Sequence, residues 1–168
     1  MPINNLGDLT WYDGCHYSRD KERGLLTISQ QAFTERLVEK YGHGSSTSIP
    51  ASLGIKLEDF DPTEPEGDWP FRELVGSLMW LANQTRPDIA NAVRAVARYC
   101  HAPKSVHWKA VLHIVRYLKS TSQFGITFQR GSGLQLEVFA DSDFASKATN
   151  RRSVSGGIVM CGGAGLVF

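Results

Sequence analysis

Cysteine is scarce and badly placed for cross-linking. The three present, Cys15, Cys100 and Cys161, are far apart, odd in number and without a CxxC pair, which argues against a disulfide framework or a thiolate zinc site and fits a reduced intracellular setting. Long apolar runs are missing as well. No window approaches the roughly 18 uninterrupted apolar residues of a membrane span, and residues 1–8 lack the charged start and apolar stretch of a signal peptide. The expectation is a soluble chain, cytoplasmic or nuclear, with no membrane partner. A third absence is local: residues 89–136 contain neither Asp nor Glu, while Arg94, Arg98, Lys104, Lys109, Arg116, Lys119 and Arg130 are spread through them. Such a segment repels cations and attracts phosphate.

The missing acids gather immediately upstream. Glu58, Asp59, Asp61, Glu64, Glu66, Asp68 and Glu73 stand against only Lys56 and Arg72, so the net charge of +1 conceals an acidic block followed by a basic one. Otherwise the 168 residues, 42% hydrophobic and 21% charged, have an ordinary globular composition, enough for one domain or two small ones.

Hydrophobic periodicity divides the chain. Residues 9–17 and 25–29 read as two strands joined by a polar turn that Gly24 closes, a hairpin. Ser29 is then the expected N-cap of a helix to Tyr41, on which Phe33, Leu37, Val38 and Tyr41 recur at helical spacing, with Gly42 as a left-handed C-cap. Residues 43–70 hold Pro50, Pro62, Pro65 and Pro70 along with Gly44, Gly54, Gly67 and the acidic block, and read as a linker. Helices are predicted at 71–83, from Pro87 to residue 100 and from Pro103 to residue 119. In the last of these, Trp108, Val111, Leu112, Val115 and Leu118 form one stripe, leaving Lys109, Arg116 and Lys119 on or near the other face. After Thr121 the period becomes two: 124–128, a Gly131-Ser132-Gly133 turn, alternation from Leu134 to Ala140, a strand at 153–161 and an apolar run at 166–168. The fold class is therefore α+β, an N-terminal hairpin and helices followed by an incomplete mixed sheet.

Asp141 and Asp143 close a predicted strand, on one face of it, where rigidly held carboxylates suit a magnesium ion. Spacing alone favours the plainer alternative, acids capping a turn beside Ser142 and Ser146. His101, His107 and His113 step by six, which scatters them around a helix and speaks against zinc. Trp11, Trp69, Trp80 and Trp108 are read as core rather than as base-stacking platforms, and Gly162-Gly163-Ala164-Gly165 as a turn between strands.

Several separated motifs resemble one family. Leu74 to Leu81 (LVGSLMWL), Thr85 to Ala90 (TRPDIA), His101 to Pro103 (HAP), His107 to Val111 (HWKAV) and Arg116 to Lys119 (RYLK) follow in the order and at the intervals typical of the Pol polyproteins of copia-type LTR retrotransposons, in the segment between reverse transcriptase and ribonuclease H. The resemblance implies that 1–42 is the end of the polymerase palm and the start of the thumb, 43–70 an acidic linker, 71–120 basic thumb and connection helices, and 121–168 a truncated ribonuclease H-like domain. Residues 6–20 would be the primer-holding hairpin, with Asp13 standing where the family carries an apolar residue.

On the same resemblance Asp141 matches the first metal-binding aspartate of the ribonuclease H strand, followed by Arg151 to Gly157 (RRSVSGG); the metal role of Asp143 stays open. The chemistry implied is two-magnesium hydrolysis of RNA in an RNA–DNA hybrid. The polymerase's Tyr-x-Asp-Asp turn is absent from the chain, and the remaining nuclease acids would follow Phe168. The expectation is a Pol fragment, catalytically inactive alone, that binds hybrid or duplex nucleic acid through Arg94, Arg98, Lys104, Lys109, Arg116 and Lys119, pairs with the rest of a Pol polyprotein, or self-associates through its unfinished sheet. The alternatives are an element-derived protein acting through protein contacts, effector- or inhibitor-like, and a nuclease completed by another chain's ligands.

Overall fold

Asp13 and Gly14 reverse the chain within two residues, both at positive φ (48° and 72°). In this computed structural model, which describes residues 7–52, 56–58, 60–65, 67–143 and 154–166, they join β1 (Trp11–Tyr12) to β2 (Cys15–Asp20), with Tyr12 opposite Cys15. A two-residue loop of this kind needs left-handed backbone at both positions, which glycine and the short polar aspartate tolerate best. The single strand expected over 9–17 is thus a turn with two short arms, and Asp13 is an exposed turn residue whose charge disturbs no packing. A second hairpin links β2 to β3 (Leu25–Ser29), its loop fastened by the Arg23 N–H donating to Asp20 Oδ1 at 2.9 Å.

The fourth strand of this sheet comes from far along the chain. β4 (Gly125–Gln129) runs antiparallel to β3, with Ile126 opposite Ile28, Phe128 opposite Leu26, and Thr27 and Thr127 hydroxyls 3.0 Å apart. The sequence reading groups this strand with the C-terminal ones; its hydrogen bonds place it beside the N-terminal hairpin, in the order β1-β2-β3-β4. Gly125 permits that pairing, since a Cβ there would lie 2.3 Å from the Ile28 carbonyl oxygen.

Four helices form among the described residues: α1 (Gln31–Tyr41), α2 (Phe71–Gln84), α3 (Ala90–Ala97), preceded by a 3₁₀ turn at Pro87–Ile89, and α4 (Ser105–Ser120). Each buries one stripe. Leu37 and Tyr41, then Phe71, Leu74, Leu78 and Leu81, then Val93 and Val96, then Val111, Ile114, Val115 and Leu118 make one continuous core. Two end signals differ from expectation. Gln30, not Ser29, is the N-cap residue of α1, without a side-chain cap, because Ser29 is still in β3. Gly42 has φ −82°, so its value is space rather than handedness: a Cβ would sit 2.5 Å from the Val38 oxygen.

A second antiparallel sheet, β5 (Leu136–Asp143), β6 (Val154–Cys161) and β7 (Ala164–Leu166), pairs in that order and touches β4 through β7. Leu136 and Val138 on one face of β5 and Phe139 on the other are exposed. The mixed sheet expected here is antiparallel throughout the described residues. No helix among them is long and apolar enough to cross a membrane.

Candidate nucleic-acid interface

The inward stripe of α4 decides where its bases go. With Val111, Ile114, Val115 and Leu118 facing the core, Lys109 and Arg116, two turns apart, project from the opposite side. Lys109 is exposed; Arg116 is half-buried, its guanidinium 3.4 Å from His113 Nδ1. Lys119 donates to the Gly44 and Gly42 carbonyls at 3.0 and 3.4 Å, and Arg94 on α3 to Asn91 Oδ1 at 3.1 Å. Among the described residues none of these four meets a carboxylate.

Arg98 and Lys104 have a different setting, because residues 56–58 and 60–65 lie over the junction of α3 and α4. Arg98 pairs with Glu58 at 3.1 Å. Lys104 is only 9% exposed, its ammonium donating to the Glu64 carbonyl, while Glu64 Oε1 accepts the Ser105 N–H at the start of α4 at 3.1 Å. Burial works against ionisation of Glu58, but hydrogen bonds from its own backbone, Arg98 and Tyr99, with the Arg98 charge, hold its carboxyl below the usual range. The fully buried His107 completes the clasp. Its Nδ1 accepts the Lys104 N–H at 2.8 Å, its Nε2 lies 2.9 Å from the Leu57 carbonyl, and its ring stacks on Tyr99 at 3.8 Å with Phe60 edge-on at 5.2 Å. The Nδ1 acceptor role fixes the neutral Nε2–H tautomer, burial pushes the pKa down, and neither nitrogen is left for a metal.

Charge counting missed Arg86. Its side chain is 2% exposed, and it forks onto Asp88 (Nε to Oδ1 2.9 Å, Nη2 to Oδ2 2.7 Å) while donating to the Thr121 carbonyl at 2.8 Å and hydroxyl at 2.7 Å. Tyr117 donates to the same carboxylate at 2.8 Å, and the guanidinium lies 5.5 Å from the ring centres of Tyr117 and Phe124. Next to it, the Thr85 hydroxyl donates to buried Gln30 Oε1 at 3.0 Å. The Thr-Arg-Pro-Asp run therefore ties α2, α4, α1 and the approach to β4 together; its signal was an Arg and an Asp flanking a helix-opening proline, a pair that can share one turn.

Asp141 lies in β5 opposite Gly156, exposed, with Oδ1 accepting the Ser142 N–H at 2.9 Å. Asp143 lies opposite Val154, and its side chain falls outside the described residues, as do Ser146 and Arg151 to Ser153. Among the described residues no three His, Cys, Asp or Glu side chains gather as a metal site would require. Of the tryptophans, Trp69 and Trp108 stack at 5.9 Å with Tyr41 edge-on to Trp108, against the helical core as expected, whereas Trp11 and Trp80 are exposed.

Compared with known proteins, the chain is 34% identical over 162 residues to the retrovirus-related Pol polyprotein from transposon TNT 1-94 of Nicotiana tabacum, covering 92% of this chain and 12% of that protein. It is 30% identical over 158 residues to an uncharacterized mitochondrial protein of Arabidopsis thaliana (92% of this chain, 63% of that one). It is 38% identical over 87 residues to secreted RxLR effector protein 161 of Plasmopara viticola (52% and 61%). The chain thus spans a small part of the polyprotein and under two thirds of the two shorter relatives. No family model matches it, and no solved structure does.

Proposed function

As the chain belongs to the family of retrovirus-related Pol polyproteins of copia-type transposons, we propose that it is a segment of the reverse transcriptase and ribonuclease H region which binds the backbone of RNA–DNA hybrid or duplex nucleic acid and is catalytically silent alone. The observation that carries the reading is the set of bases that meet no carboxylate among the described residues, Arg94, Lys109, Arg116 and Lys119, on helices whose other face is core. Arg98 and Lys104 belong to the same basic run and join it when free of residues 56–65. Contacts of this kind are sequence-blind and release counterions, so affinity falls as salt rises. Ligand number supports catalytic silence: two-metal hydrolysis needs several carboxylates around shared ions, and among the described residues no three His, Cys, Asp or Glu side chains gather around Asp141. The β5 sheet, with its exposed Leu136, Val138 and Phe139, supplies a surface for self-association or for the rest of a Pol polyprotein.

The test is a titration of a labelled hybrid at low and moderate salt. The expected plot of log affinity against log salt has a slope between about −2 and −4, for up to four phosphates neutralised. No binding at low salt, or binding indifferent to salt, overturns the reading. Magnesium-dependent cleavage that Asp141→Asn abolishes would overturn catalytic silence. A second reading, action through protein contacts, is favoured by the exposed Leu9, Trp11 and Tyr12 beside the Asp13-Gly14 turn and by the likeness to an effector. A nuclease-resistant complex with a defined protein, lost in Trp11→Ser, would support it.

A further inference from the structure

Residues 56–58 and 60–65 do to this surface part of what a phosphate backbone would do: they bring a carboxylate to Arg98, a carbonyl oxygen to the Lys104 ammonium and a second carboxylate to the first turn of α4. Glu58 takes Arg98 at 3.1 Å. Glu64 takes the Lys104 ammonium with its carbonyl and the Ser105 N–H with its carboxylate, at 3.1 Å. The occupied position is electrostatically favourable for an anion, because the positive end of a 16-residue helix begins there and its Ser105 N–H is directed at it. The segment is also built to stay. Phe60 packs edge-on against Tyr99 and His107, and the Leu57 carbonyl meets His107 Nε2. Asp61 fixes the next bend by accepting the Thr63 N–H and hydroxyl at 2.8 and 2.7 Å. Aromatic packing holds the segment, with the Glu58 carboxylate on Arg98 and the Glu64 carboxylate on the start of α4.

We propose that this acidic segment is an intramolecular competitor for nucleic acid, covering one end of the basic surface until a polyanion displaces the Glu58 carboxylate from Arg98 and Glu64 from Lys104 and the start of α4. The inference rests on the nucleic-acid reading above and adds regulation to it. Full engagement then recruits two further cations, and the free protein is held in a weaker-binding state. The segment's apolar anchor can remain docked while its charges are exchanged, since Phe60 and Leu57 contact His107 and Tyr99 independently of the carboxylates.

The experiment compares wild-type protein with Glu58→Gln/Glu64→Gln, using a fluorescent RNA–DNA hybrid over a salt series. Glutamine keeps an acceptor for Arg98 and for the Ser105 N–H, so the helix start stays capped while the charge goes. The control is Glu22→Gln/Glu39→Gln, two exposed acids outside the segment that change net charge equally. The expected result is binding on the order of fivefold tighter than the control at low salt, with a salt slope steeper by about 1 as Arg98 becomes free to meet a phosphate. Unfolding midpoints within a degree or two of wild type, as expected for a surface charge change, would show that the fold is intact. If wild type binds and the segment variant gains no more than the control, the inference falls while the nucleic-acid reading survives. If wild type fails to bind and the segment variant binds, the nucleic-acid reading of the intact chain falls and the inference stands in a stronger form. If neither binds, both fall.

Discussion

Replacing Arg86 by methionine isolates the buried fork on Asp88. Methionine retains apolar bulk against the Tyr117 and Phe124 rings and deletes four hydrogen bonds, two of them to the Asp88 carboxylate. Removing one partner of a buried pair costs about 3–5 kcal/mol, chiefly because the other is left uncompensated. Here the survivor can partly recover. Asp88 keeps the Tyr117 hydroxyl and is 34% exposed, so water reaches it, while the Thr121 hydroxyl still donates to the Tyr117 carbonyl. That puts the expected loss near the low end, about 3 kcal/mol, a fall of roughly 6–12 °C in unfolding midpoint for a chain of this size. The reverse deletion, Asp88→Ala, strands a guanidinium whose side chain is 2% exposed and should cost more. The double variant should cost little more than the worse single one. Urea unfolding followed by circular dichroism measures all three. Arg86→Met within about 1 kcal/mol of wild type, or less harmful Asp88→Ala, would refute the reasoning. Burial opposes ionisation of Asp88, yet the Arg86 hydrogen bonds and charge, with Tyr117, hold its carboxyl below the ordinary 3.8. A depressed carboxyl stabilises above the unfolded value and ceases to as pH falls through the folded one. The deficit of the Arg86 variant should therefore shrink only in strong acid.

The neutral, buried His107 gives a separate window. Its pKa is lowered, first by burial, so the unfolded chain takes up the proton more readily and stability should fall as pH drops below about 6.5 toward the folded value; His107→Gln should lose that dependence, and an unchanged acid limb in the variant would count against the assignment. Gly125→Ala puts a Cβ about where the Ile28 carbonyl stands, so we expect a loss of about 1–3 kcal/mol and faster amide exchange along β4; a neutral substitution would mean that β3 and β4 do not pair as described.

Helix positions were legible because their information is local. The recurrence of Trp108, Val111, Leu112, Val115 and Leu118 announces a buried stripe without reference to its partner, and the structure buries Val111, Val115 and Leu118 and half-buries Trp108 and Leu112. The partner of β4 was not legible. Alternation at Gly125 to Gln129 identifies a strand, but nothing in a period of two names the strand it joins, and β3 lies about a hundred residues earlier. The Asp13-Gly14 turn was legible and overlooked, since the two-residue signal lay inside a longer alternating run. Asp141 was placed on its strand end by pattern, whereas the company it keeps depends on contacts that no spacing rule supplies.

Charge shows the same division most sharply. In sequence, Arg94, Arg98, Lys104, Lys109, Arg116 and Lys119 look equivalent, six bases in a stretch without acids, and the acidic block upstream looks like a separate linker. Folding makes them two populations. Arg98 and Lys104, flanking the turn into α4, lie where the returning acidic segment reaches them, and Lys104 is nearly buried by it. Arg94 and Lys109 face away from the core and remain open. A segment that is acidic, adjacent in sequence and anchored by Leu57 and Phe60 on His107 and Tyr99 meets those two bases at a high effective concentration. The charge available to an incoming polyanion is therefore set by the anchor as much as by the count of bases. A substitution at Phe60, which carries no charge, should alter nucleic-acid affinity through Arg98 and Lys104.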